Sequence, residues 1–265
     1  MNRGGADADT GQAPRGTARG WAIVLAIPVA AALVIASGIA VGFLASRLIQ
    51  PAPSQAEMQR FVRVWLTSYT GEMAATVAVY AAVLLAIWLL LPKRGPASLA
   101  SYFGHFSFRT VLPALGSGAV FAFGVGVVFT LLAKNGLVNF HENAAERAIV
   151  PHSIGQLGIA LVAVSLVGPF VEEVYFRGLL LRWLRARMPL VVAAIPNALL
   201  FAATHFRFAS HVGIEGWVLT GALFIFGIFA VAWATATRSL WPAIAAHGMY
   251  NATLISAPLL AGHSP

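Results

Sequence analysis

Residues 154–181 read IGQLGIALVAVSLVGPFVEEVYFRGLLL, a 28-residue run whose only charges are two adjacent glutamates and one arginine. As a helix it would be about 42 Å long, more than the ~30 Å hydrocarbon core of a bilayer. Further apolar runs lie at 21–49, 74–92, 111–133, 190–206, 216–236 and 239–260. The chain of 265 residues is 59% apolar and 10% charged, where a soluble domain carries about 25% charged residues. A mean hydropathy of +0.80 points the same way. The reading is an all-α, polytopic membrane helical bundle of seven transmembrane helices, or eight if Phe61 to Tyr69 dips into the interface. Residues 1–20 are small, polar and glycine-rich, and read as a disordered tail before a transmembrane domain over 21–265. The first run is too long for the apolar part of a signal peptide and reads as a retained anchor.

The absence of cysteine excludes a disulfide scaffold and thiol catalysis. The net charge of +8 sits in short gaps between apolar runs, a pattern that suits loops against anionic headgroups and argues against nucleic acid as a partner. Ten basic residues fall on the amino-terminal side, among them Arg109, Arg182, Arg185, Arg187 and Arg238, against six on the other. By the positive-inside rule the amino terminus is cytoplasmic, and the expected location is the cell membrane.

A charge inside a membrane helix is costly and marks a functional residue by default. In a helix Glu173 and Arg177 are four apart on one face, in the favourable order, so Arg177 can neutralise Glu173. Glu172 is turned about 100° away and lacks that partner, which leaves it available for chemistry. Two later runs add to it. Asn197, Phe201 and His205 recur every four residues and line one stripe, and His247 and Asn251 are likewise four apart. A lone histidine in an apolar helix is more often a packing residue than a catalyst. Two of them, with an asparagine and an unpaired glutamate, in three separate segments, are a different matter.

Depth can be compared as well. If runs four and five form a hairpin turning at Met188–Pro189, Glu172 and His205 both lie about 24 Å from the turn, level with one another. His247 and Asn251 lie about 14–20 Å beyond Arg238 on the same expected side, so the four groups can converge.

Taken together, Glu172-Glu173-x-x-x-Arg177, Phe201-x-x-x-His205 and His247-x-x-x-Asn251 resemble the three motifs of the CPBP family of intramembrane proteases. That family includes the type II CAAX prenyl endopeptidases and the Abi-type proteins. The resemblance covers about residues 154–260, an expected catalytic core. It implies an enzyme, an endopeptidase hydrolysing a peptide bond of a membrane-associated protein or peptide. By that resemblance Glu172 is the base that activates water, His205 helps to hold the water, and His247 and Asn251 bind the oxyanion. Glu173 and Arg177 form a supporting ion pair. The family is often labelled metalloprotease, and zinc held by Glu172, His205 and His247 is one reading. Asparagine is an uncommon zinc ligand, and ligand preference tilts toward a metal-free, glutamate-activated water. Two rivals remain. A proton-coupled transporter could use Glu172 and the histidines as a relay, but it would bring internal inverted repeats, which are not evident. A catalytically idle bacteriocin-immunity or scaffold member of the same family would keep the motifs without the reaction.

Overall fold

The computed structural model describes residues 20–48, 54–66, 68–92, 98, 100–137, 150–205 and 213–260. Most of the expected tail, residues 1–19, lies outside the described residues. Among those described, the regular structure is helical throughout, an all-α membrane bundle. The helices are α1 (Gly20–Leu48), α2 (Gln55–Leu66), α3 (Tyr69–Leu90), α4 (Ala100–Phe103), α5 (Phe108–Lys134), α6 (Ile154–Arg185), α7 (Leu190–Thr204), α8 (Gly213–Ala236) and α9 (Trp241–Leu260). Each of the seven apolar runs folds as one of them. Within α3, α5, α6 and α8 lie segments long and apolar enough to cross a membrane.

Local sequence sets the ends. The Ser68 hydroxyl caps α3 by accepting from Gly71 N–H. Ser153 and Gln156 box the start of α6: Ser153 Oγ accepts from Gln156 N–H, and Gln156 Oε1 accepts from His152 N–H. Pro189 precedes α7, and Pro242 sits in the first turn of α9, where its missing N–H costs nothing. At 15 residues α7 is about 22 Å long, short of a full crossing, and His205 caps its carboxyl end.

Helix α6 is irregular around Pro169. Helix α6 widens to π geometry over Leu161–Val167 and again over Val174–Leu180. Pro169 has no N–H for the Ser165 carbonyl, and the Gly168 N–H reaches back five residues to Ala163 O. Val164 O thereby loses its ordinary helical donor. In a bilayer interior such a carbonyl must be satisfied by protein, and the donor comes from α9, where Asn251 Nδ2 lies 2.8 Å from Val164 O. The two helices also meet closely at Gly248, where a Cβ would stand 2.5 Å from Ser165 O. Helix α9 packs most extensively against α5, and it touches α6 and α8, so it runs through the middle of the bundle. On the α5 side the approach needs Gly118, where a Cβ would fall on the Ala246 carbonyl.

One end of the bundle is tied by polar contacts. Gly20 lies against the Trp183 ring, Arg182 Nη2 donates to Ser101 O (2.9 Å), and the single Ser239 hydroxyl hydrogen is shared between the Phe103 and His105 carbonyls (3.0 and 2.9 Å). The start of α1, the end of α6 and the α8–α9 turn therefore share that end. Burial of Tyr102 beside them pushes its phenol up.

Helix α2 corresponds to the eighth segment foreseen near Phe61, although it ends at Leu66 and a new helix begins at Tyr69. Its 12 residues span about 18 Å and cannot cross a bilayer. Ser54 and Glu57 cap each other at its start, and the Ser54 hydroxyl and backbone N–H hold the Glu57 carboxyl below its ordinary value. Met58, Phe61, Val62 and Trp65 share one face, opposite Arg60, the pattern of a helix lying in the membrane interface. Because the chain has no cysteine, single labels are unambiguous. A spin label at Phe61→Cys is expected to be relaxed by oxygen dissolved in the lipid, and one at Arg60→Cys by a water-soluble nickel chelate. Equal access of the nickel reagent to both positions would remove α2 from the interface.

Candidate active site

Adjacent glutamates on a helix point about 100° apart, and here the two side chains meet different surroundings. Glu173 is completely buried, and its Oε1 accepts from Arg177 Nη1 at 2.9 Å and from His247 Nδ1 at 3.0 Å. Arg177, 2% exposed, also donates through Nη2 to Gly227 O at 3.0 Å, and its guanidinium lies 4.5 Å from the Phe201 ring centre. One buried carboxylate thus ties α6 to α9, and its arginine ties α6 to α8 and packs on α7. Removing such charges from water costs several kcal/mol each, which only pairing and further hydrogen bonds can offset.

A carboxylate can only accept, so His247 donates from Nδ1, and its Nε2 is left facing Glu172 Oε2 at 3.7 Å. His205 ends α7 with its Nδ1 3.0 Å from Phe201 O, a carbonyl, so Nδ1 again donates. Its Nε2 lies 3.9 Å from the same Glu172 Oε2. These proton positions are assigned from the hydrogen-bond partners. Phe201 forms the wall between them, with its ring edge-on to His247 at 5.5 Å and tilted against His205 at 5.0 Å. The His247 side chain is 2% exposed, while those of Glu172 and His205 are 14% and 22% exposed, so the site opens on the Glu172–His205 side.

Glu172 Oε2 is buried and has no hydrogen-bond partner among the described residues, whereas Oε1 accepts from the Tyr80 hydroxyl of α3. The carboxylate expected to stand alone is therefore held at one oxygen and free at the other. Of the four groups expected to converge, Glu172, His205 and His247 do so. Asn251 lies one turn further along α9, with an amide N–H spent on Val164 O. Asn197, on the stripe with Phe201 and His205, donates to Phe176 O at 2.7 Å and secures α7 to the second π segment of α6.

Tyr80 carried no signal in the sequence. A single tyrosine in an apolar run is an ordinary packing residue, and its partner is 92 residues away. Among the described residues no three His, Asp or Glu side chains are placed to hold a metal ion.

Residues 155–253 match a family model described as Type II CAAX prenyl endopeptidase Rce1-like. The match runs from the first turn of α6 into α9 and takes in all three motifs, with Tyr80 outside it. No curated protein and no solved structure matches the chain.

Breaking the buried pair from one side leaves a stranded charge. Arg177→Ala should cost about 3–5 kcal/mol, whereas the double change Glu173→Leu, Arg177→Met should cost much less, because neither member of the Glu173–Arg177 pair is left without the other. Thermal unfolding in detergent, followed by loss of the monodisperse species, measures both. Equal losses for the two variants would contradict a buried ion pair.

Proposed function

We propose that the protein is an intramembrane endopeptidase in which Glu172 activates the attacking water, a reading supported by the match of residues 155–253 to a type II CAAX prenyl endopeptidase family model. The observation that carries this reading is Glu172 Oε2, buried, without a hydrogen-bond partner among the described residues and faced by two histidine Nε2 atoms. Substrate is a membrane-associated protein or peptide, reached from the lipid bilayer. The end of the bundle shared by the start of α1 and Arg182 faces the cytoplasm.

The steps follow from the donors and acceptors. Water donates one hydrogen to Glu172 Oε2 and the other to the His205 Nε2 lone pair, which directs an oxygen lone pair at the scissile carbonyl. As the carbon–oxygen bond forms, the proton moves to Oε2 and the carbonyl π pair moves onto oxygen. His247, protonated at both nitrogens, donates to that oxyanion from Nε2 while Nδ1 stays on Glu173. Asn251 holds α9 to the Val164 carbonyl of α6, one turn from His247. Collapse of the tetrahedral intermediate breaks the carbon–nitrogen bond, and the proton on Oε2 passes to the departing amine. With Glu172 and Glu173 anionic and Arg177 and His247 cationic, the four charges sum to zero before attack. They still do so once the charge has moved from Glu172 to the oxyanion. In a low-dielectric site that constancy lowers the barrier, because charge is displaced by a few ångströms and never created.

Protein purified in detergent is expected to cleave a membrane-anchored reporter. Glu172→Ala should abolish cleavage, and His205→Ala and His247→Ala should each lower kcat by about a hundred-fold or more. Full cleavage by the Glu172→Ala protein would sink the reading.

A further inference from the structure

The Tyr80 hydroxyl lies outside the family-matched segment and outside every motif, yet it makes the one hydrogen bond that Glu172 accepts among the described contacts. We propose that Tyr80 is a positioning residue for the reaction, holding one oxygen of the Glu172 carboxylate so that the other is presented to water between His205 and His247. The inference rests on the endopeptidase reading and adds a second helix, α3, to the machinery.

A glutamate carboxylate turns about a terminal torsion that is broad and two-fold, so its two oxygens are equivalent unless something distinguishes them. The histidines do not, since both stand 3.7 Å or more from Oε2, beyond direct hydrogen bonding. Tyr80 does, by donating to Oε1. The local backbone is shaped for this contact. Gly168, at the end of the first π segment of α6, is buried against Tyr80, and a Cβ there would stand 3.2 Å from the ring and 3.3 Å from the hydroxyl. Glycine at 168 lets α3 come close enough for the phenol to reach across to the next turn. A phenylalanine would fill the same space, so what the hydroxyl adds is the bond to the base.

The bond also survives the chemistry. When Oε2 takes the proton from water, Oε1 becomes the carbonyl oxygen of a carboxylic acid and still accepts from Tyr80. The acid is kept from flipping, and its proton remains on the oxygen that faces the departing amine. Tyr80 itself neither gains nor loses a proton at any step.

The test compares Tyr80→Phe with the unaltered protein and with Glu172→Gln, using cleavage kinetics on the membrane-anchored reporter and thermal unfolding of the same preparations. The expected result is a fall in kcat of about ten- to a hundred-fold for Tyr80→Phe, the size carried by an outer hydrogen-bond partner or a misplacement of about 1 Å. KM should stay within about two-fold and the unfolding midpoint should stay unchanged, a pattern that lost packing does not give. Cleavage by Tyr80→Phe at the unaltered rate, with Glu172→Gln inactive, would overturn the positioning role and leave the endopeptidase reading standing. Cleavage by Glu172→Gln would overturn both. Should Tyr80→Phe fail to fold, Gly168→Ala keeps the phenol but crowds its hydroxyl, and the same split is expected of it. An unchanged kcat there would overturn the inference.

Discussion

The carboxylate of Glu173 is the fixed point of the molecule. It is fully buried, and one oxygen takes a guanidinium N–H at 2.9 Å and an imidazole N–H at 3.0 Å. A buried charge of this kind is tolerated only where cation and donors are both in place, so it constrains three helices at once. Arg177 carries the constraint to Gly227 and the Phe201 ring, and His247 carries it to α9. The orientation of His247 follows, because an imidazole that donates from Nδ1 must offer Nε2 to whatever lies on its other side. What lies there is Glu172. Glu173 thus sets the orientation of the histidine that faces Glu172.

A second constraint comes from Pro169. Its missing N–H, with the π register that precedes it, turns the Val164 carbonyl away from its own helix and toward Asn251. The same widened segment ends at Gly168, against which Tyr80 lies. The irregular backbone of α6 is thus where α3 and α9 reach the helix that carries both glutamates, in keeping with the tendency of π segments to occur at functional sites.

Much of this was legible in the chain. All seven apolar runs are helices, and the four-residue spacing of Glu173 and Arg177 predicts their contact because only local geometry is involved. The level depth of Glu172 and His205, computed from residue counts on either side of the 188–189 turn, agrees with their 3.9 Å separation. Periodicity could not supply the contacts between distant helices. Tyr80 and Glu172, Asn251 and Val164, and His247 and Glu173 are pairings fixed by packing and by which backbone groups the π segments release.

The central claim is that water, activated by Glu172, attacks the peptide bond directly. A single turnover in heavy-oxygen water, with the products and the peptide bearing Glu172 weighed by mass spectrometry, addresses it without a mutation. The account predicts one heavy oxygen in the new carboxylate of the product and none in the Glu172 side chain. Heavy oxygen in Glu172 would contradict it, because the glutamate would then have bonded to the substrate itself before water arrived.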